Sequence, residues 1–184
     1  MVIMIILLDM DDVLADFDGE FFTRWRAQYP DKPYIAKEDR KIFGLDEEYP
    51  PELKDLVKSV YTAPGFCKSL PPIPGSLEAV LEMKQEGHDV FICTAPLSKY
   101  ENCVLEKYEW TEKHLGREWT KKIILTKDKT LVRGDFLIDD NPDIKGIATP
   151  SWEYIIFDQP YNRNITDKRR LKSLKDWKSI LVKP

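Results

Sequence analysis

Residues 2–8 form an unbroken apolar run, VIMIILL, that stops at Asp9. A run of that length suits a strand buried on both faces of a parallel sheet. Within residues 16–29, Phe17, Phe21, Trp25 and Tyr29 recur every four positions, which makes one face of an amphipathic helix. Residues 52–61 predict a second helix, opened by Pro50-Pro51. The Pro-, Lys- and Asp-rich stretch 30–49 separates the two, and Pro71-Pro72 with Pro74-Gly75 closes the region. Residues 16–74 therefore read as a small helical lobe.

From Ser76 onward the pattern changes. Residues 76–85 predict a helix with Ser76 as N-cap and Gly87 as its stop. Residues 89–93, 122–125, 136–138 and 154–157 have strand character, and residues 99–115 have helical periodicity. Residues 165–170 read as an exposed connection, followed by a closing amphipathic helix over 171–181. Strands alternating with helices predict an α/β fold with a doubly wound parallel sheet. That domain takes residues 1–15 and 75–184, and the lobe is inserted after the first strand.

Composition narrows the function. A chain of 184 residues can bury one good core and a small accessory lobe. The net charge of -4 is spread along the chain, and no basic tract offers a footprint for polymeric nucleic acid. The opening apolar run is too short to span a bilayer and lacks the basic flank and cleavage site of a signal peptide. A cytoplasmic location without membrane attachment is the expectation, with a homodimer admitted as an assembly. Cys67, Cys93 and Cys103 have no metal-ligand spacing and read as buried thiols in a reducing compartment. His88 and His114 are isolated and read as surface residues.

The candidate chemistry sits where apolar strands end. Asp9-Met10-Asp11-Asp12 follows the first strand, and Asp139-Asp140 follows residues 136–138. In a doubly wound sheet the carboxyl ends of strands face the ligand crevice. Carboxylates gathered there repel one another and resist desolvation, and a hard divalent cation with oxygen ligands, such as magnesium, removes that cost. Either acidic group alone could be an ordinary turn; two strand ends of this kind point to a site. Thr94, at the end of another strand, offers a hydroxyl to a phosphate oxygen. Lys127 and Lys129 both follow the strand 122–125, and either could supply the fixed cation that phosphoryl chemistry needs.

This set resembles the motifs of the haloacid dehalogenase (HAD) superfamily, and more closely those of the 5'(3')-deoxyribonucleotidases. The likeness rests on Leu8-Asp9-Met10-Asp11, Val13-Leu14-Ala15-Asp16-Phe17, Glu38-Asp39-Arg40 and the Pro71-to-Gly75 break. It continues through Val90-Phe91-Ile92-Cys93-Thr94, Leu125-Thr126-Lys127-Asp128-Lys129-Thr130, Leu137-Ile138-Asp139-Asp140 and Thr149-Pro150-Ser151-Trp152-Glu153. The resemblance implies a Rossmann-like, HAD-like core with a helical cap, and a magnesium-dependent phosphatase acting on deoxyribonucleoside monophosphates. It implies Asp9 as nucleophile and Asp11 as general acid and base. The ion would be held by the Asp9 carboxylate, the Asp11 carbonyl and the Asp140 carboxylate, with Asp139 in support. Thr94 and Lys129 would hold the phosphate, Lys129 being favoured over Lys127. Phe17, Phe43, Gly44, Leu45 and Tyr61 would line the nucleoside pocket, while Phe21 and Trp25 stay in the cap's own core.

The chain departs from that pattern at Asp12, where the family usually has Gly. Gly44 and Cys67 replace bulky aromatics of some relatives, and Ala95 replaces a Ser beside Thr94. The competing expectations are a HAD phosphatase for another small phosphate ester and a catalytically silent nucleotide-binding module. A dehalogenase would leave Asp11 without a task, since a halide leaving group needs no proton.

Overall fold

A computed structural model describes residues 2–181. Six strands form one all-parallel sheet: β1 (Ile5–Leu8), β2 (Asp89–Thr94), β3 (Ile123–Leu125), β4 (Phe136–Asp139), β5 (Glu153–Phe157) and β6 (Arg169–Leu171). Their order is β3-β2-β1-β4-β5-β6, so the most apolar strand, β1, lies inside the sheet. Register places Leu8 beside Ile92 and Ile138. The ends of β1, β2 and β4 therefore align, and their following residues share one edge of the sheet.

Alternation along β1 divides the core. Ile6 and Leu8 point into the larger apolar cluster, which includes Val80, Met83, Trp110 and Trp177. These come from α4 (Ser76–Gln85), α5 (Tyr100–Leu115) and α6 (Trp177–Ile180). Leu7 faces the other way, against Cys93, Leu137 and Trp152, with Val132 and Ile144 packed alongside. That second face is covered by irregular segments in place of long helices.

The inserted segment carries α1 (Phe17–Gln28), α2 (Lys54–Tyr61) and α3 (Phe66–Ser69). Asp16 caps α1 by accepting from the Gly19 amide at 3.1 Å. The four-residue aromatic spacing has the expected effect: Phe21 and Trp25 are fully buried, with ring centroids 5.8 Å apart. Their cluster is continuous with the one under the sheet. No helix among the described residues is long and apolar enough to cross a membrane.

Four local expectations are corrected. Ser76 is not an N-cap. Gly75, at φ 82°, holds that place, and the Ser76 hydroxyl donates to the Leu14 carbonyl at 3.0 Å. His88 is buried, edge-on to Trp177 at 5.5 Å, and not at the surface; His114 is half-buried against Trp110. The connection 165–170 is not exposed throughout, because Arg169 and Arg170 enter β6. Arg170 donates to Asp158 and to the carbonyls of Asn162 and Ile165. The closing helix over 171–181 shrinks to the four residues of α6. Leu171, Leu174, Trp177 and Leu181 are all buried as a helical stripe would be. The free edge of β5, however, hydrogen-bonds residues 169–171 and takes the start of that stripe into the sheet. The three cysteines are buried and unbridged.

Candidate active site

Strand geometry brings the two acidic groups together. The Asp9 amide donates to the Ile138 carbonyl at 2.9 Å, stitching the end of β1 to β4. Carboxylate oxygens of Asp9, Asp139 and Asp140 lie within 4.8 Å of one another, and all three residues are buried. Among the described residues, Lys129 is the ammonium that bonds this group: its Nζ is 2.6 Å from Asp9 Oδ1 and 2.5 Å from Asp139 Oδ2. With all three ionised, the carboxylates would exceed the one lysine by two negative charges, which is the charge of one divalent cation. Among the described residues Asp140 has no ion pair with a cationic side chain; its carboxylate accepts from the Tyr161 hydroxyl. Burial, with Asp139 and Asp9 beside it, pushes the Asp140 carboxyl well above the ordinary range. An oxygen-lined, electron-rich, desolvated cluster of this kind fits a hard metal ion.

The structure separates the two candidate lysines. Lys129 sits in the one-turn helix Lys129–Leu131, opened by Asp128, which accepts from the Thr130 amide at 3.0 Å. Burial alone would lower its pKa, but Asp139 and Asp9 outweigh that and raise it. Lys127 also lines the cavity but is exposed.

Asp11 faces a different partner. Its Oδ2 accepts from Lys107 Nζ at 2.8 Å, and Lys107 also donates to Thr94 Oγ1 at 3.0 Å. Lys107 is fully buried, and its pKa is raised because Asp11 overcomes the desolvation that would lower it. Burial raises the Asp11 carboxyl, against the pull of Lys107. The second oxygen, Asp11 Oδ1, is buried with no hydrogen-bond partner among the described residues. A carboxyl biased toward its protonated form, with one oxygen free, can donate a proton.

Asp12 explains its own departure from Gly. It adopts φ 53°, left-handed backbone that favours Gly and that Asp tolerates better than most residues. Its carboxylate accepts from the Asp18 amide at 3.1 Å and lies 3.5 Å from Lys37. Its carbonyl accepts from Gln159 at 2.7 Å. The added charge is thus engaged at the start of α1, while it still raises the Asp140 carboxyl.

Above the carboxylates lies a cavity of about 460 Å³. Of the residues expected to line it, Phe17, Phe43, Gly44, Leu45 and Tyr61 all do. Phe17 packs on Tyr61 and Phe66 with centroids 5.6 and 5.0 Å away. Phe43 is 43% exposed at the rim, whereas Leu45 is buried. Phe21 and Trp25 stay out of the cavity. Thr94 is buried behind the lining, held by Lys107.

Three residues escaped the sequence reading. Lys107 carried a signal: it is buried on α5 with Cys103, Glu106, Trp110 and Thr111, where a charged side chain needs a partner. Arg40 entered only as the end of the Glu38-Asp39-Arg40 likeness, with no role attached, and Tyr161 carried no signal, because their meeting depends on the fold.

A family model described as "5' nucleotidase, deoxy (Pyrimidine), cytosolic type C protein" matches residues 3–184. The human "5'(3')-deoxyribonucleotidase, cytosolic type" is 48% identical, over 96% of this chain and 92% of its own length. A Bordetella bronchiseptica protein provisionally named a 5'(3')-deoxyribonucleotidase is 54% identical, over 97% and 96%. Among solved structures, a HAD family hydrolase from Deinococcus radiodurans with bound phosphate and sodium aligns with a TM-score of 0.62 at 15% identity, covering 96% of this chain and 93% of that one. That likeness speaks for the fold.

Proposed function

The chain belongs to the deoxy-pyrimidine, cytosolic type C 5' nucleotidase family and is a phosphoric monoester hydrolase, and we propose that it releases phosphate from deoxyribonucleoside monophosphates through a phosphoaspartate at Asp9. The observation that carries this reading is the buried carboxylate trio facing one lysine, beneath a cavity whose lining includes the rings of Phe17, Phe43 and Tyr61 among polar and charged groups.

Asp9, the Asp11 carbonyl and Asp140 would hold magnesium, which neutralises phosphate oxygens when bound. Lys129 fixes one oxygen of Asp9 and presents a second positive charge to the transferring group. An Asp9 oxygen bonds to phosphorus while the bond to the sugar oxygen breaks, and Asp11 gives that oxygen its proton. Asp11 then takes a proton from water as the water attacks phosphorus and frees Asp9. Positioning and charge stabilisation dominate such transfers, which suits a site whose charged groups are held by partners. Asp139 holds Lys129, and Lys107 spans Asp11 and Thr94. Thr94 lies outside the cavity lining, so in this reading it would bear on the phosphate through Lys107, which its hydroxyl meets.

The same reading divides the chain into a core of residues 1–15 and 75–184 and a cap of residues 16–74. It assigns Phe17, Phe43, Gly44, Leu45 and Tyr61 to the nucleoside. Phe17, Phe43 and Leu45 offer no side-chain hydrogen bond to a sugar 2'-hydroxyl, and burying one without a partner costs about 1–3 kcal/mol. In a panel with magnesium, dUMP should therefore exceed UMP in kcat/KM by about tenfold to a hundredfold, and chelator should abolish turnover of both. Equal efficiency for UMP, or faster turnover of sugar phosphates, would replace the deoxyribonucleotidase reading with that of a broader phosphatase.

A further inference from the structure

Tyr161 has contacts that none of the roles above uses. It lies in the one-turn helix Pro160–Asn162 that follows β5, and it is buried. Its hydroxyl donates to Asp140 Oδ2, and the neighbouring Asn162 Nδ2 donates to the Asp140 carbonyl at 2.8 Å. One turn thus grips both the side chain and the main chain of Asp140. That turn is itself anchored, since Asn162 Oδ1 accepts from the Gln159 amide at 3.1 Å and from Arg170 at 2.7 Å.

The ring of Tyr161 faces the cap. The Arg40 guanidinium carbon lies 4.3 Å from its centroid, and the Phe43 ring meets it at 5.7 Å with planes at 68°. Arg40 is buried and paired with Asp18, and it donates to the carbonyls of Ile42 at 2.9 Å and Phe43 at 2.7 Å. It therefore shapes the segment that brings Phe43 and Gly44 to the cavity. A single side chain touches a core carboxylate with its hydroxyl and the substrate-facing cap segment with its ring.

We propose that Tyr161 is a positioning residue that couples cation binding at Asp140 to the seating of the cap segment 40–44. This rests on the reading that Asp140 helps hold the cation. The hydroxyl occupies Oδ2 and fixes the rotation of the carboxylate that would help hold the ion. Partners that orient a ligating carboxylate are commonly worth 10–100-fold in metal affinity. Because the ring is gripped by Arg40 and Phe43, a cation that steadies Asp140 also steadies that segment. Linkage makes the effect reciprocal.

The test is calorimetric titration of magnesium alone into the full-length protein, without nucleotide. Tyr161→Phe keeps the ring and removes the hydroxyl, and it should raise the magnesium Kd by about tenfold or more. Phe43→Ala touches no carboxylate, yet it should weaken magnesium by about fivefold, the low end of usual coupling. In the Tyr161→Phe background, Phe43→Ala should have no further effect. A wild-type Kd in Tyr161→Phe, or the same Phe43→Ala penalty in both backgrounds, overturns the proposal. Should circular dichroism show Tyr161→Phe unfolded, Phe43→Ala alone decides, and an unchanged Kd overturns it. Absence of magnesium binding by the unaltered protein would instead remove the metal site itself, and failure to hydrolyse nucleotides would remove only the substrate.

Discussion

The carboxylate floor of the cavity and its aromatic wall are built on opposite principles. The floor stands on strand ends and nearby turns, and its charged groups are mostly met: Lys129 with Asp9 and Asp139, Lys107 with Asp11, Tyr161 with Asp140. The wall comes from a helix start and a loop: Phe17, packed on Tyr61, and the segment 43–45, whose Phe43 carbonyl accepts from Arg40. Phe43 is nearly half exposed, while the three cluster carboxylates of the floor are almost fully buried. Chemistry needs groups fixed to fractions of an ångström, so rigid elements carry it; specificity tolerates a looser support. Changes to the floor should therefore strike turnover, and changes to the wall should strike affinity.

Asp9→Asn should give the largest effect, loss of turnover to background, because an amide is a poor nucleophile. Melting temperature should hold or rise, since one of three crowded carboxylates is gone. Near-normal kcat in the folded variant would refute the covalent route. Next in size is Lys129→Ala, expected to lose about 10²-fold or more in kcat, as removal of one transition-state charge partner does. Exposed Lys127→Ala should lose far less, and the reverse ranking would move the phosphate cation to the rim. Lys107→Met should lower kcat by up to about 10²-fold, the lower end of what a positioned acid contributes. It leaves Asp11 buried without its cation, and KM should change little. A KM effect without a kcat effect would show that Lys107 serves the pocket.

The smallest effect should come from the wall. Aromatic stacking on a base is worth about 1–3 kcal/mol, and partly exposed Phe43 should sit at the low end. Phe43→Ala should raise KM for dUMP by about tenfold at saturating magnesium, with kcat within a factor of about two. A fall in kcat as deep as that of Lys107→Met would erase the distinction between floor and wall.

Much of this arrangement was written locally. An apolar run ending in carboxylates predicts a buried strand with its acids at the crevice, because strand burial and the position of the ligand edge follow from hydrophobic patterning alone. The aromatic spacing of residues 17–29 likewise set the face that α1 buries. Spacing could not rank Lys127 against Lys129, which lie two residues apart after β3; only the family resemblance favoured Lys129. Only the strand order that sets β4 next to β1 brings Asp139 and Asp9 around Lys129. Lys107 meets Asp11 across 96 positions, and Tyr161 meets Asp140 across 21. Residues 171–181 carried a genuine helical stripe, yet the open edge of β5 took residues 169–171 as a strand. Periodicity records which residues are buried. The partner each finds depends on long-range pairing of strands and charges, which no local pattern contains.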